Sequence, residues 1–229
     1  MQPAPKPRTR VEDVYQRLKD DICLGRLVPG SRFNLGEYSK LQGVSLTVVR
    51  EAATRLSSER LMQLSPQQGF RIWPLSVPDL LDLTRVRIDV ERLALPESVS
   101  DGDLAWEASV VSAHHSLAGA VRSRPDPATP NYAWLEAHAR FHCALAAACS
   151  SPLLRQLRQQ LFDSAELYRH WSAAAEPRRD RRPIAREHQA LLDAALAHDA
   201  EKALALSVEH IQRTTTLLVE RNSPVTAGD

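Results

Sequence analysis

Residues 43–52, GVSLTVVREA, decide the fold of the first part of this chain. Gly43 predicts a tight turn, and Ser45 is a favourable N-cap for a helix that runs to Glu59. Asn34, upstream of the turn, can cap a shorter helix. Two short helices joined by a glycine-containing turn are typical of a helix-turn-helix motif.

The segments on either side extend this motif to a complete small domain. Apolar residues at helical spacing over 11–27 predict a helix before it. After it, 61–64 and 69–73 are short apolar stretches that predict two strands, with Ser65-Pro66-Gln67-Gln68 as the loop between them. A helix, a helix-turn-helix and a two-stranded wing make a winged helix-turn-helix. We therefore expect a DNA-binding domain over residues 10–75.

The remainder of the chain has a different pattern. From residue 79 to 220 apolar residues recur at helical spacing, and no strand pattern is present. Proline-containing loops are expected at 123–131 and 177–183. This predicts a C-terminal all-α bundle of six or seven helices, so that the protein as a whole is mostly α.

Composition narrows the class of protein. The chain has 229 residues, of which 43% are hydrophobic, with 29 basic and 28 acidic residues. The first 60 residues are richer in bases than in acids, which suggests local contact with a polyanion. No stretch approaches the length of a membrane span, and the N-terminus does not resemble a signal peptide. Three cysteines without a CxxC pair indicate reduced, mostly buried thiols, and we expect a cytoplasmic protein.

Four histidines have an informative spacing. His138 and His142 are one helical turn apart, whereas His188 and His210 occupy core-facing positions of two later helices. A single inward histidine is usually a packed core residue, but four can meet in one pocket and bind a divalent metal. Two alternatives remain: His138 turns away and leaves a three-histidine site, or the imidazoles hold an organic ligand directly.

These motifs resemble the GntR family of bacterial transcriptional regulators. The first half carries its phrases as GRLVPG at residues 25–30, GVSLTVVREA at 43–52 and GFRI at 69–72. The second half resembles the FCD effector domain of the FadR-like branch, through Arg87-x-x-x-Glu91, His138-x-x-Phe141-His142, Glu187-His188 and His210. The resemblance covers about residues 10–218. It implies a homodimer that binds a palindromic double-stranded DNA operator and a small carboxylate effector, which coordinates a divalent metal in the domain of residues 79–220.

The chain departs from the family at informative positions. Leu46 stands where members often have arginine, and Val48 where proline is common, so the operator is expected to differ. His138 stands where metal-binding members have aspartate. Four neutral imidazoles carry no charge and form a softer site, which favours Zn or Ni over Mn.

The resemblance and the chemistry of the side chains together select candidate DNA contacts. Short hydroxyl side chains near the start of a recognition helix suit phosphates or bases, and Arg50, one turn later, can reach a guanine or a phosphate. Alternatively, Arg50 forms a surface salt bridge, and Ser45 is a plain N-cap. Leu46 either meets a thymine methyl group or packs internally. The candidate residues are Arg32, Ser45, Thr47, Arg50, Gln67, Gln68 and Gly69.

Arg87 is the candidate effector-binding residue, because its guanidinium could clamp a carboxylate. The alternative is an intrahelical pair with Glu91, four residues later. The function expected is a ligand-controlled regulator, most simply a repressor, and not an enzyme. Two other hypotheses are a metal sensor without an organic effector and a histidine-site metalloenzyme with an accessory winged helix. For the enzyme, Glu187 is the only acid close in sequence to serve as a general base.

Overall fold

The structure, a computed structural model, describes residues 9–122, 132–175 and 183–222. The predicted loop at 123–131 and residues 177–182 of the second predicted loop lie outside these ranges. The chain divides after Leu75 into two compact units, which are described separately.

The N-terminal unit has the predicted order of elements. Polar caps start its helices: the Thr9, Asn34 and Ser45 side chains each accept a backbone amide hydrogen bond from the first turn. Gly43 ends the second helix with a φ of 63°, a left-handed conformation that favours glycine. The elements are α1 (Arg10–Cys23), α2 (Leu35–Gln42), α3 (Leu46–Ser58), β1 (Met62–Ser65) and β2 (Gly69–Ile72).

The wing is an antiparallel hairpin in which Met62 lies opposite Ile72 and Ser65 opposite Gly69. The segment before α2 also pairs with β2, since the Phe33 amide donates to the Phe70 carbonyl at 2.8 Å. This second pairing was not predicted from the sequence. It fixes the wing to the helix-turn-helix, and the fully buried side chains of α1, α3 and the hairpin fill the space between them, among them Leu18, Ile22, Leu56, Met62 and Ile72.

The described part of the C-terminal unit is all helical, as predicted, and contains six helices. Helix α4 packs against α7 and α9, and α5 packs against α6 and α8. Leu95, Phe141, Leu145 and Leu191 lie at the centre of the resulting core. The elements are α4 (Val77–Asp101), α5 (Leu104–Arg122), α6 (Tyr132–Leu145), α7 (Pro152–Ala175), α8 (Ile184–Leu196) and α9 (Ala200–Asn222).

The three cysteines are free thiols in different surroundings. Cys149 is buried and Cys23 is partly buried, but Cys143 is exposed. The prediction of mostly buried thiols is therefore wrong for Cys143, which lies on the solvent side of α6. No helix in the described ranges has the length and apolar character needed to cross a membrane.

Candidate DNA interface and metal centre

Helix α3 has one buried and one exposed face. Val49, Ala52 and Leu56 are completely buried, because residues three and four apart share the side of the helix that faces the core. Thr47 and Arg50 lie on the exposed part of the first turns. Among the described residues, the Arg50 guanidinium has no hydrogen bond or ion pair, which disfavours the surface salt bridge as its role.

The start of α3 exposes both its capping serine and its first residue, Leu46. The Ser45 hydroxyl accepts from the Val48 amide at 3.4 Å, so that Ser45 is an N-cap, and its side chain is also exposed. Leu46 is 46% exposed and does not join the core, which excludes internal packing.

The tip of the wing exposes three candidate residues together. Gln67 and Gly69 have φ values of 65° and 77°, which close the tight turn between β1 and β2. Gln67, Gln68 and Gly69 are all exposed. Arg32 is exposed on the segment that pairs with β2, where it lies opposite Arg71.

Contacts that sequence reasoning missed hold α3 against α1. The Arg55 guanidinium lies 4.2 Å from the centre of the Tyr15 ring and 2.9 Å from a Glu12 carboxylate oxygen. The Tyr15 hydroxyl donates to Glu59 at 2.6 Å, and burial followed by that hydrogen bond raises the pKa of Tyr15 to about 12. These contacts fix the direction in which α3 presents its exposed face.

The four predicted histidines meet inside the C-terminal unit. Helix α6 supplies His138 and His142, α8 supplies His188, and α9 supplies His210. Their candidate ligand nitrogens all lie within 4.8 Å of one another, and no ring is more than 5% exposed. We call this set the histidine cluster.

Some ring nitrogen atoms of the histidine cluster are buried. The Nε2 atoms of His142, His188 and His210 are buried and form no hydrogen bond with the residues that the structure describes. Burial, followed by nearby positive charge, holds the pKa of His142 well below its usual value and lowers the pKa of His188 to about 2. A divalent metal requires neutral imidazoles with available lone pairs, so these residues fit the ion that the resemblance to the FCD domain implies.

His138 differs from the other three. Its two ring nitrogens each lie 3.0 Å from Nη1 of Arg169 on α7, and its ring stacks on Trp134. Arginine can only donate, so His138 offers Arg169 an acceptor lone pair. Burial, and then the Arg169 charge, keep the pKa of His138 well below its usual value.

Glu187 does not occupy the position of a general base. Its carboxylate lies 2.9 Å from Nδ1 of His210 and 3.2 Å from Arg213. The Nδ1 atom of His210 donates to the carboxylate, which leaves the buried Nε2 atom as the acceptor nitrogen of the ring. Glu187 is therefore placed to orient His210.

Arg87 does not form the intrahelical pair with Glu91. Its guanidinium lies 5.5 Å from the centre of the Phe162 ring and has no hydrogen bond or ion pair within the described part of the chain. Burial, followed by the Arg169 charge, lowers the pKa of Arg87 to about 10. Glu91 instead pairs with Arg158, on α7.

A cleft connects Arg87 with His142 and His210, and Phe162, Arg158 and Arg169 of α7 line it as well. Sequence reasoning missed Arg158 and Arg169, although the sequence contains a signal for both. Arg158, Phe162, Ala165 and Arg169 recur at i, i+4, i+7 and i+11, so that two arginines lie on a stripe that faces the core.

Comparisons with known proteins agree with this architecture. Residues 10–72 match the gntR family of bacterial regulatory proteins, and residues 82–213 match the FCD domain. An uncharacterised HTH-type transcriptional regulator, BphR of Paraburkholderia xenovorans, is 38% identical over 94% of this chain and 88% of its own. The HTH-type transcriptional repressor GlaR of Escherichia coli is 30% identical over 87% of this chain and 91% of its own.

Solved structures show the same fold. Escherichia coli McbR superimposes with a TM-score of 0.82 at 22% identity, over 94% of this chain and 99% of that one. A GntR regulator from Rhodococcus superimposes with a TM-score of 0.75 at 23% identity, over 93% and 99%. The relatives are transcriptional regulators rather than enzymes. This chain belongs to the GntR family of HTH-type transcriptional regulators and carries an FCD domain.

Proposed function

We propose that this chain is a repressor whose affinity for its operator is controlled by a small organic acid bound in the FCD domain through a divalent metal, Zn or Ni. The observation that carries the proposal is the histidine cluster, in which the buried Nε2 atoms of His142, His188 and His210 form no hydrogen bond with any described residue. The similarity to GlaR, which is a transcriptional repressor, supports repression rather than activation.

The DNA-binding part of the proposal assigns residues 10–75 to the operator. Helix α3 enters the major groove, where Arg50 reads a guanine and Thr47 contacts a base or phosphate. The Gln67–Gly69 turn and Arg32 contact the backbone on either side. The protein acts as a homodimer on two half-sites of a palindrome, because one winged helix reads only one half-site.

The effector part of the proposal assigns residues 79–220 to a small carboxylate. The histidine cluster would hold the metal, which would supply a Lewis acid for a carboxylate oxygen of the effector. Arg87 lies on the same cleft and forms no ion pair among the described residues, so it can receive a second anionic group of the effector. The dimer is taken to exist with its DNA-binding domains in two alternative arrangements, of which one fits the operator. Effector binding changes operator affinity only as far as the effector binds the two arrangements with different affinities.

Metal content tests the proposal first. Wild-type protein, His142→Ala and His115→Ala are purified without a histidine tag and measured by elemental analysis. About one metal per chain is expected in the wild type and in His115→Ala, whose imidazole is exposed on α5, and none in His142→Ala. Metal-free wild type, even after loading with Zn or Ni, would overturn the metal site.

Operator binding tests the second part. Fluorescence anisotropy measures affinity for a duplex selected from a random pool, with metal-loaded protein in the presence and absence of succinate or lactate. Weaker binding on addition of one carboxylate is expected, and Arg87→Ala should respond less. Affinity that follows metal concentration alone would instead support the metal-sensor hypothesis. If Arg50 reads a guanine, Arg50→Ala should reduce by about 1–3 kcal/mol the difference in binding free energy between that guanine and another base at the same position.

A further inference from the structure

We infer that Leu46 is a specificity-determining residue that contacts the 5-methyl group of a thymine in the operator. The inference rests on the proposal that α3 is the recognition helix. It adds the chemical identity of one base that this helix reads.

The position of Leu46 is fixed and outward. It is the first residue of α3, directly after the N-cap Ser45, whose hydroxyl accepts from the Val48 amide. Its side chain is 46% exposed. Arg50 is four residues later, and residues at that spacing are neighbours on a helix surface. Leu46 therefore belongs to the same exposed surface as the proposed guanine-reading arginine.

The core of the N-terminal unit does not need Leu46. The buried side of α3 consists of Val49, Ala52, Ala53 and Leu56, and each of these is 0% exposed. A leucine beside them that is 46% exposed gains only part of the stabilisation that full burial would give, since hydrophobic stabilisation follows the apolar area removed from water. Another surface must cover the remaining apolar area of Leu46 if that area is to contribute.

The major groove offers one apolar group to such a side chain. Base edges there present hydrogen-bond donors and acceptors, with the thymine methyl as the exception. Leucine has no hydrogen-bonding group and cannot satisfy a guanine or cytosine edge. Four residues of helix rise about 6 Å, and base pairs are about 3.4 Å apart. The thymine therefore lies within about two base pairs of the guanine that Arg50 reads.

The test removes only the methyl group. Full-length wild-type protein selects its preferred duplex from a pool with a randomised segment. Each thymine of one half-site is then replaced by uracil, which keeps the base pair and lacks the methyl group. At one position this replacement should weaken wild-type binding about fourfold, as expected for one buried methyl group, and should leave Leu46→Ala unaffected.

Matched controls separate this inference from the proposal on which it rests. Leu104→Ala removes the same atoms from an 81% exposed leucine of the C-terminal unit and should keep the full uracil effect. Wild type and Leu46→Ala should bind equally to the all-uracil duplex, which also shows that the variant is folded. If Arg50→Ala leaves affinity and base preference unchanged, the assignment of α3 fails.

Three outcomes would overturn the inference about Leu46 but leave α3 as the recognition helix. The first is that every uracil replacement affects wild type and Leu46→Ala alike. The second is that the selected duplexes carry no thymine within about two base pairs of the guanine sensitive to Arg50→Ala. The third is that Leu46→Ala selects the same base at every position as the wild type.

Discussion

Glu91 and Arg158 form a buried ion pair between α4 and α7, in which Nε and Nη2 of the arginine lie 2.6 and 2.9 Å from the two carboxylate oxygens. The Ser207 hydroxyl on α9 donates to the same carboxylate at 2.7 Å. Arg158 also donates Nη1 to the His142 carbonyl at 2.8 Å. The pair thus links three helices to the backbone of one member of the histidine cluster.

Removal of the charge on Glu91 should destabilise the protein strongly. Glu91→Gln keeps the shape of the side chain but leaves the Arg158 charge buried without a counter-charge, and the loss of one partner of a buried pair costs about 3–5 kcal/mol. Urea denaturation of metal-free protein at neutral pH measures the free energy of unfolding. Asp89→Asn, which removes the exposed partner of Arg92, is the control and should cost less than about 1 kcal/mol. Equal losses in the two variants would contradict the argument.

The same carboxylate predicts sensitivity to acid. Burial alone would raise the pKa of Glu91, but the charge and hydrogen bonds of Arg158, with the Ser207 hydrogen bond, hold it below its usual value. A carboxylate with a depressed folded-state pKa stabilises the protein above its unfolded-state pKa, and this contribution is lost as the pH falls through the folded-state value. Wild type should therefore lose stability below about pH 4.5, the ordinary range of glutamate, more steeply than Glu91→Gln. Parallel curves of unfolding free energy against pH would show that Glu91 does not contribute.

The sequence predicts the backbone framework because local signals define it. Caps at Asn34 and Ser45, the Gly43 turn and the alternation of the hairpin each specify one element, and all of them appear in the structure. The histidine cluster was also predictable, since core-facing positions on the helices of a single small bundle lie close to one another.

The partners of charged residues were less predictable because they depend on packing between distant helices. Glu91 had an arginine four residues away in sequence, but it pairs with Arg158, 67 residues further along the chain. Glu187 adjoins His188 in sequence but contacts His210. Sequence spacing describes which residues share a helix face, and it does not specify which neighbouring helix supplies the opposite charge.

His198 should titrate above the ordinary range of histidine. It has a φ of 52° in the turn between α8 and α9, and its ring nitrogens lie 2.7 Å from the Val99 carbonyl and 3.0 Å from Glu107. The Glu107 hydrogen bond, followed by that to Val99, raises the pKa of His198. A raised folded-state pKa stabilises the protein below the unfolded-state value, about 6.5, and this contribution disappears as the pH rises through the folded-state value. NMR titration should find a lower pKa for His198 in Glu107→Gln, and an unchanged value would contradict the assignment.

Glu187 should control metal affinity without being a ligand. Glu187→Gln weakens the hydrogen bond that holds His210 with its Nε2 atom towards the cluster, and loss of such a supporting carboxylate costs about 10–100-fold in metal affinity. Competition with a chromophoric chelator measures the dissociation constant for Zn. Glu209→Gln is the matched control, because Glu209 also pairs with Arg213 but is half exposed and, within the described part of the chain, forms no hydrogen bond with a cluster histidine. Glu187 has no orienting role if both variants bind Zn as the wild type does.

His138 should determine which metal the cluster prefers. His138→Asp places a negative charge and an oxygen ligand in a set that otherwise consists of neutral imidazoles, and oxygen ligands suit Mn better than imidazole does. The affinity for Mn relative to Zn should therefore rise. The change is opposed by Arg169, whose Nη1 lies 3.0 Å from the His138 ring and would pair with the new carboxylate. His138→Asn is the control, because it has nearly the shape of aspartate but no charge and should not raise the preference for Mn. Chelator competition with both metals gives the ratio. Because the double variant His138→Asp/Arg169→Met frees the carboxylate, it should show the largest rise, and equal ratios in all three variants would exclude charge at this position as the determinant.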